Sequence, residues 1–421
     1  MNNKPQAAPP ADKAQVLQRS REYLFPHRIA TLASLGVDLV IGQRAGYRFW
    51  DLDGREYMDF HLNGGTYSLG HRNPRLLATL RESLEYADIG NHHFTNPPRA
   101  ELAERLAQAT GLQYSVFTPS GAEANDVAIK SARRFTGRRK IVALEQGYHG
   151  RSGLSGAAGD DKTAAWFGSD YPEEFIKVPF NDVEAMERAL AGDDVAAVLM
   201  ETIPATSGFP LPEPGYLPAV KALCERHGTV YVADEVQTGL GRTGKLWGVE
   251  CWDVQPDILI TGKCLSGGLY PVSAAVLSRE LGTWLAEDGW GYVSTYGGAE
   301  PGCAVGCTAL QMCADPATLA NVETIAEYIG RGLRDIQSRH PFLLEVRQQG
   351  LVMGLRFDAP DGGARMTGAL YKHGLWAMFA GFDPSVLQFK PGLLVDTHYC
   401  DEALQRVEDA LADLIRGASG A

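Results

Sequence analysis

The 421-residue sequence predicts an α/β protein: a large domain with a mostly parallel central sheet, plus a smaller α+β domain drawn from both ends of the chain. Three observations predict it. Short apolar runs alternate with amphipathic stretches over the middle of the chain, as parallel strands alternate with crossover helices. The two ends break that rhythm, with short strands near the start and mixed α and β toward the finish. The composition, 45% hydrophobic and 21% charged over 421 residues, supports a sizeable core and two or three domains.

Taken in order, residues 1–15 are polar and Ala/Pro-rich and read as a disordered tail without the apolar core of a signal peptide. Residues 37–60 read as short strands with a turn at 51–55. The strands expected next are 115–118, 140–144, 195–200, 229–233, 257–260 and 272–277, with helices such as 122–135 and 217–227 between them. The final helix carries Ala403, Leu404, Val407, Ala410, Leu411, Leu414 and Ile415 on one face, and Gly417 is positioned to end it.

Lys plus Arg total 39 against 51 Asp plus Glu, a formal charge of -12. That balance, without a long basic run, argues against nucleic acid or an anionic membrane surface as partner. No apolar run approaches the 18 or so residues of a membrane span. The seven cysteines are scattered and contain no CxxC, which favours reduced core thiols in a cytoplasmic protein over a disulfide framework or a zinc site.

Parallel sheets place their ligands at the carboxyl ends of strands, and three such ends carry chemistry here. Thr118-Pro119-Ser120-Gly121-Ala122 runs from a strand through a tight turn into a helix. Free N–H groups at that helix start suit a phosphate, and Ser120 serves equally well as a plain N-cap. Val232-Ala233-Asp234-Glu235 delivers two acids at a strand end, suited to a cationic ring nitrogen, a metal or a structural ion pair. Ile260-Thr261-Gly262-Lys263 ends a third strand in a lysine. In a dry pocket such a lysine has a lowered pKa and forms Schiff bases; on a surface it does neither. Together, a phosphate turn, an acid and a lysine are the parts that hold pyridoxal 5'-phosphate. No GxGxxG or GxxxxGK[ST] motif points to a dinucleotide or P-loop site instead.

Several longer motifs then carry a family resemblance: the stretch from Ala233 to Gly244, the stretch from Gly262 to Ser273, Ser294-Thr295-Tyr296-Gly297-Gly298, Ser120-Gly121-Ala122-Glu123-Ala124-Asn125 and Gly147-Tyr148-His149-Gly150-Arg151. In this order they resemble the class III (subgroup II) aminotransferases of fold type I, and the lysine loop is worded most like ornithine aminotransferases. The resemblance covers roughly residues 37 to 415. It implies a tail at 1–15, a small domain made of 16–75 and 319–421, and a large cofactor domain at 76–318. It implies an enzyme that moves an amino group from an amino acid or primary amine to a 2-oxo acid in a ping-pong cycle. An isomerase (epimerase, racemase or 2,1-aminomutase) shares the same fold and lysine.

By the same resemblance Lys263 forms the Schiff base and shuttles the proton, and Asp234 pairs with the pyridine nitrogen. Tyr148 and Val236 cover the two ring faces, Gln237 contacts the 3-hydroxyl oxygen, and Ser120, Gly121 and Ala122 cup the phosphate. Thr295 matches a threonine donated to the phosphate by a neighbouring subunit, which implies a homodimer with shared sites. Arg151 matches an arginine that holds a substrate carboxylate; its structural alternative is a pair with an acid such as Glu145. Glu201 matches a glutamate that relatives pair with an arginine near the C-terminus. Here Gln388 stands where that arginine is expected, so either Lys390 supplies the charge or the pair is absent. Asn63-Gly64-Gly65-Thr66-Tyr67 falls in the segment that borders the family's substrate site.

Overall fold

The structure is a computed structural model and describes residues 12–90 and 93–419. Among the described residues, seven strands build the central sheet. Their spatial order is Tyr114–Thr118, Ser273–Leu277, Ile258–Thr261, Val230–Asp234, Val195–Glu201, Lys140–Leu144 and Phe175–Val178. Ser273–Leu277 runs antiparallel to both of its neighbours, and the remaining pairs are parallel. The expected mostly parallel sheet is present, with strand ends within a residue or so of those read from sequence. Phe175–Val178, at the sheet edge, was not anticipated. It is four residues long, and its lysine interrupts the apolar run that marks the other strands.

The central strands are apolar throughout because both faces of the sheet are covered. Val195–Glu201 is buried along its whole length; Val198 and Met200 pack into one cluster and Ala197 and Leu199 into the other. The helix Gly121–Thr136 covers the second face with Ala124, Val127, Ala128 and Ile129. Ser120 caps its start, and Gly137, with φ of 69°, supplies the left-handed residue that ends it. Cys224, Cys264, Cys303, Cys307, Cys313 and Cys400 are buried, as small core residues.

Parallel alignment brings the chemically useful residues to one edge. Glu201 and Asp234 are directly paired across adjacent parallel strands, and Asp234 is paired with Ile260, three residues before Lys263. The carboxyl ends of these strands therefore deliver two acids and a lysine to the same side of the sheet.

The smaller α+β domain holds two further sheets among the described residues. Ile41–Ala45, Arg48–Asp51 and Glu56–Asp59 form an antiparallel ribbon, and the C-terminal strand Leu375–Trp376 joins it in parallel beside Glu56–Asp59. Leu343–Gln349, Val352–Phe357, Val386–Phe389 and Met378–Phe379 form an antiparallel sheet backed by the helix Gly362–Lys372. The boundaries read from sequence, at 75/76 and 318/319, fall within the first turns of the helices Pro74–Ser83 and Pro316–Arg339.

Two local expectations need correction. Residues 1–11 of the expected tail lie outside the described residues, but Lys13 to Gln15 open the helix Lys13–Tyr23. Asp12 caps it, and the Lys13 ammonium lies 3.0–3.2 Å from carboxylate oxygens of Asp38, Asp51 and Asp53, which anchors this turn to the ribbon. The final helix, Thr397–Ser419, continues past Gly417. Glycine permits a left-handed helix end but does not impose one. Among the described residues no helix is long and apolar enough to cross a membrane.

Candidate active site

Asp234 sits at the end of its strand and is 4% exposed. A charged carboxylate so deep must be hydrogen-bonded, and its partners come from distant parts of the chain. Its Oδ2 lies 2.8 Å from His149 Nδ1 and accepts from Asn125 Nδ2 at 3.0 Å, while Oδ1 accepts from the Val236 N–H at 3.1 Å. Neither His149 nor Asn125 was given a role from sequence. The only available signal was their place inside the quoted motifs, because contacts spanning 85 and 109 residues leave no local trace.

Lys263 follows Gly262 with a left-handed backbone, φ 44°. Burial lowers its ammonium pKa, and the nearby Asp234 and Glu201 oppose that shift. A cavity of about 600 Å³ opens over it. Ser120, Gly121, Ala122, Tyr148, Arg151, Glu201, Asp234, Val236, Gln237 and Lys263 all line this cavity, together with Thr66 and Tyr67 of the N-terminal segment. The exposed Thr295 and the buried Gln388 are not among its lining residues.

Gly121 and Ala122 open a 16-residue helix, where backbone N–H groups have no intrahelical acceptor. The Ser120 hydroxyl accepts from the Glu123 N–H at 3.3 Å, so the capping alternative is realised at a residue that also faces the cavity. Arg151 pairs with Asp160, not with Glu145, and its guanidinium lies 5.0 Å from the centre of the Tyr148 ring. Asp160 also caps the short helix Asp161–Trp166, its Oδ1 accepting from the Thr163 N–H at 2.9 Å.

Glu201 is 5% exposed, and its oxygens accept from the backbone N–H groups of Tyr148 at 2.9 Å and Ala205 at 3.0 Å. Burial, reinforced by the Asp234 charge, pushes its pKa up to about 7. Among the described residues no Lys or Arg lies within 4.0 Å of it, and Lys390 does not supply the missing cation. The Lys390 ammonium instead donates to Gln388 Oε1 at 2.5 Å and lies 5.3 Å from the centre of the Phe209 ring. Burial, with Arg242 and Lys263 nearby, holds that ammonium well below the usual lysine range.

The residues present fit pyridoxal phosphate. The helix start offers free N–H groups to an anion, the anchored Asp234 offers a counter-charge to a ring cation, and Lys263 offers an amine. Gln237 Oε1 and His149 Nε2 are buried beside the cavity without a hydrogen-bond partner among the described residues, polar capacity that a polar ligand and its waters would use.

Fold and site thus define a fold type I pyridoxal-phosphate enzyme. Residues 33–411 match the class-III aminotransferase family, and the chain belongs to it. An uncharacterized aminotransferase of Archaeoglobus fulgidus is 42% identical over 401 residues, covering 95% of this chain and 94% of the relative. An acetylornithine/succinyldiaminopimelate aminotransferase of Photorhabdus laumondii is 35% identical over 379 residues, covering 88% and 92% respectively. The solved ornithine aminotransferase of Toxoplasma gondii superposes with a TM-score of 0.89 at 27% identity, covering 97% of this chain and 96% of that one. The protein is a pyridoxal-phosphate-dependent aminotransferase, working on small molecules by Schiff-base, ping-pong chemistry.

Glu201 makes stability depend on pH. Its carboxyl titrates near 4.5 when unfolded and near 7 when folded, so the folded chain holds the extra proton between those values. The associated stability is complete below the unfolded value and is lost as pH rises through about 7. For the cofactor-free protein this loss is on the order of 3 kcal/mol. Glu201→Gln removes it: urea denaturation at pH 5 and pH 8 will show a smaller drop in the variant than in the wild type. An equal drop in both would contradict the assignment.

Proposed function

We propose that Lys263 is the residue joined to the cofactor and that Asp234 is the counter-ion of its ring nitrogen. The observation that carries this reading is the delivery of both, from neighbouring strand ends, into one cavity. Bound pyridoxal phosphate supplies an aldehyde that joins to amines and a cationic ring that draws electron density from the donor's breaking C–H bond. Lys263, with its pKa lowered by burial, is neutral more readily than a surface lysine, so its Nζ serves first as nucleophile and then as carrier of the proton taken from the donor. Asp234, hydrogen-bonded by Asn125 and by the Val236 N–H, would hold the ring cation, with His149 on the same carboxylate oxygen as Asn125. Gly121 and Ala122 would take the phosphate with Ser120 beside them, Tyr148 and Val236 would cover the ring, and Gln237 would meet its hydroxyl.

We read Arg151 and Glu201 as the substrate-facing pair. Arg151 keeps its charge while paired to Asp160 and suits the carboxylate of an amino or oxo acid. Glu201 suits the opposite chemistry. A donor bearing a distal amino or hydroxyl group would satisfy its carboxyl, whereas a distal carboxylate would meet repulsion. Two such charges about 4 Å apart repel by roughly 4 kcal/mol at an effective dielectric of 20, enough to govern substrate choice. The P. laumondii relative, named an acetylornithine/succinyldiaminopimelate aminotransferase, supports an amino-acid donor. Gln388 acts, on this reading, as the partner that keeps Lys390 away from Glu201.

We further propose a homodimer with shared sites in the cytoplasm. Thr295 is exposed on its own subunit, and Trp290, Val293 and Tyr296 beside it are 64%, 51% and 52% exposed, a surface suited to a second copy. The unpaired cysteines suit a reducing compartment.

Lys263→Ala will lose the visible absorption band of covalently held cofactor and nearly all turnover. A variant with ordinary activity would overturn the assignment of the site. Glu201→Gln will raise kcat/KM for glutamate relative to that for a neutral amino donor, measured in steady state. An unchanged ratio would remove Glu201 as the discriminating residue.

A further inference from the structure

The backbone carries its densest strain opposite Lys263. Leu62, Asn63, Gly64 and Gly65 succeed one another in the left-handed region, with φ of 50°, 48°, 69° and 94°. Leucine and asparagine pay a steric penalty there, so a run of this kind persists only where its surroundings over-determine it. The turn is pressed against the lysine. A β-carbon at Gly64 would lie 2.9 Å from Lys263 Cε, 3.6 Å from its Cδ and 3.5 Å from Gln237 Oε1. Lys263 itself is left-handed at φ 44°, so two strained segments face each other across the lysine's methylenes.

What holds the turn is the Asp59 carboxylate, 3% exposed. Its Oδ1 accepts from the His61 N–H at 3.0 Å and the Leu62 N–H at 2.7 Å, fixing the chain where it turns left-handed. Its Oδ2 lies 2.8 Å from Nε2 of His71, also 3% exposed. The His71 ring lies under Tyr67, centroids 4.0 Å apart, and Tyr67 lines the cavity. Tyr67 in turn packs on Gly268, where a β-carbon would lie 2.3 Å from its Cε1. Asp59 thus ties both ends of the segment, and through them the loop after Lys263, to the N-terminal ribbon.

We propose that Asp59, with His71, is a positioning residue for Lys263: it braces a strained turn whose Gly64 leaves the lysine's methylenes the clearance they need to attach to the cofactor. This rests on Lys263 being the lysine that holds the cofactor. A brace of purely structural use would have no need to put its strained glycine against the side chain that must move; here the strain and the missing β-carbon fall at that contact.

The test adds pyridoxal phosphate to cofactor-free protein, traps the attached fraction with borohydride over time, and locates it by peptide mass spectrometry. Gly64→Ala and Asp59→Asn are made in the wild type and again in Lys263→Ala, where the lysine's methylenes are gone. In the wild-type background each will slow attachment by about tenfold or more, Gly64→Ala by overpacking the lysine contact and Asp59→Asn by weakening the charge-assisted bonds that hold the turn. In the Lys263→Ala background the same changes will leave the non-covalent affinity for pyridoxal phosphate within about twofold, because the coupled partner is absent. The two variants are independent, so whichever folds decides. Attachment at the wild-type rate, or an equal loss of affinity in both backgrounds, overturns the brace. Trapping of the cofactor on another lysine in the unsubstituted enzyme overturns the reading of Lys263 and the brace with it.

Discussion

A buried carboxylate and the hydrogen bonds it requires constrain much of the rest of this structure. Asp234 lies at a strand end with almost no solvent, and an unpaired charge there would cost several kcal/mol. Its hydrogen bonds are gathered from the helix Gly121–Thr136, the loop at His149 and the turn at Val236. The same helix presents its N-terminus to the cavity, and the same turn presents Val236 and Gln237. Anchoring one acid therefore also fixes the helix start and the Val236–Gln237 turn that line the cavity.

The neighbouring acid is treated differently. Glu201 sits on the adjacent parallel strand but, among the described residues, accepts only from backbone N–H groups, and burial raises its pKa to about 7. Two carboxyl groups at paired strand ends thereby have different surroundings: Asp234 is hydrogen-bonded by side chains and a backbone N–H, and Glu201 by backbone N–H groups alone among the described residues. Glu235, the residue after Asp234 in the chain, has a third, structural use. It accepts from Thr202, Thr238 and the N–H groups of Gly248 and Val249, and so closes the loop that follows Asp234.

Much of this was legible in the sequence for a physical reason. Strands buried on both faces are continuous apolar runs, so 195–200 and 229–233 announced themselves, and chemistry at their carboxyl ends followed from parallel topology. What was not legible depends on long-range contact. Phe175–Val178 is an edge strand too short and too mixed to stand out. The side-chain partners of Asp234 lie 85 and 109 residues away, and the pairing of Arg151 with Asp160 in place of Glu145 is likewise a tertiary contact. The strain at Leu62 and Asn63 has no sequence signature either, since neither residue is a glycine. It is visible only in the backbone, together with the Asp59 bonds that sustain it.

The central claim is that the Asp234 charge, more than its shape, drives the chemistry. Asp234→Asn keeps the size of the side chain and removes the charge, leaving the phosphate contacts in place. Stopped-flow single turnovers at saturating cofactor and amino donor measure the consequence directly. Loss of one preorganised electrostatic contact of this kind corresponds to about 2–4 kcal/mol, so the rate will fall roughly 30- to 1000-fold while cofactor affinity changes far less. A variant that turns over at the wild-type rate with its cofactor bound would contradict the claim.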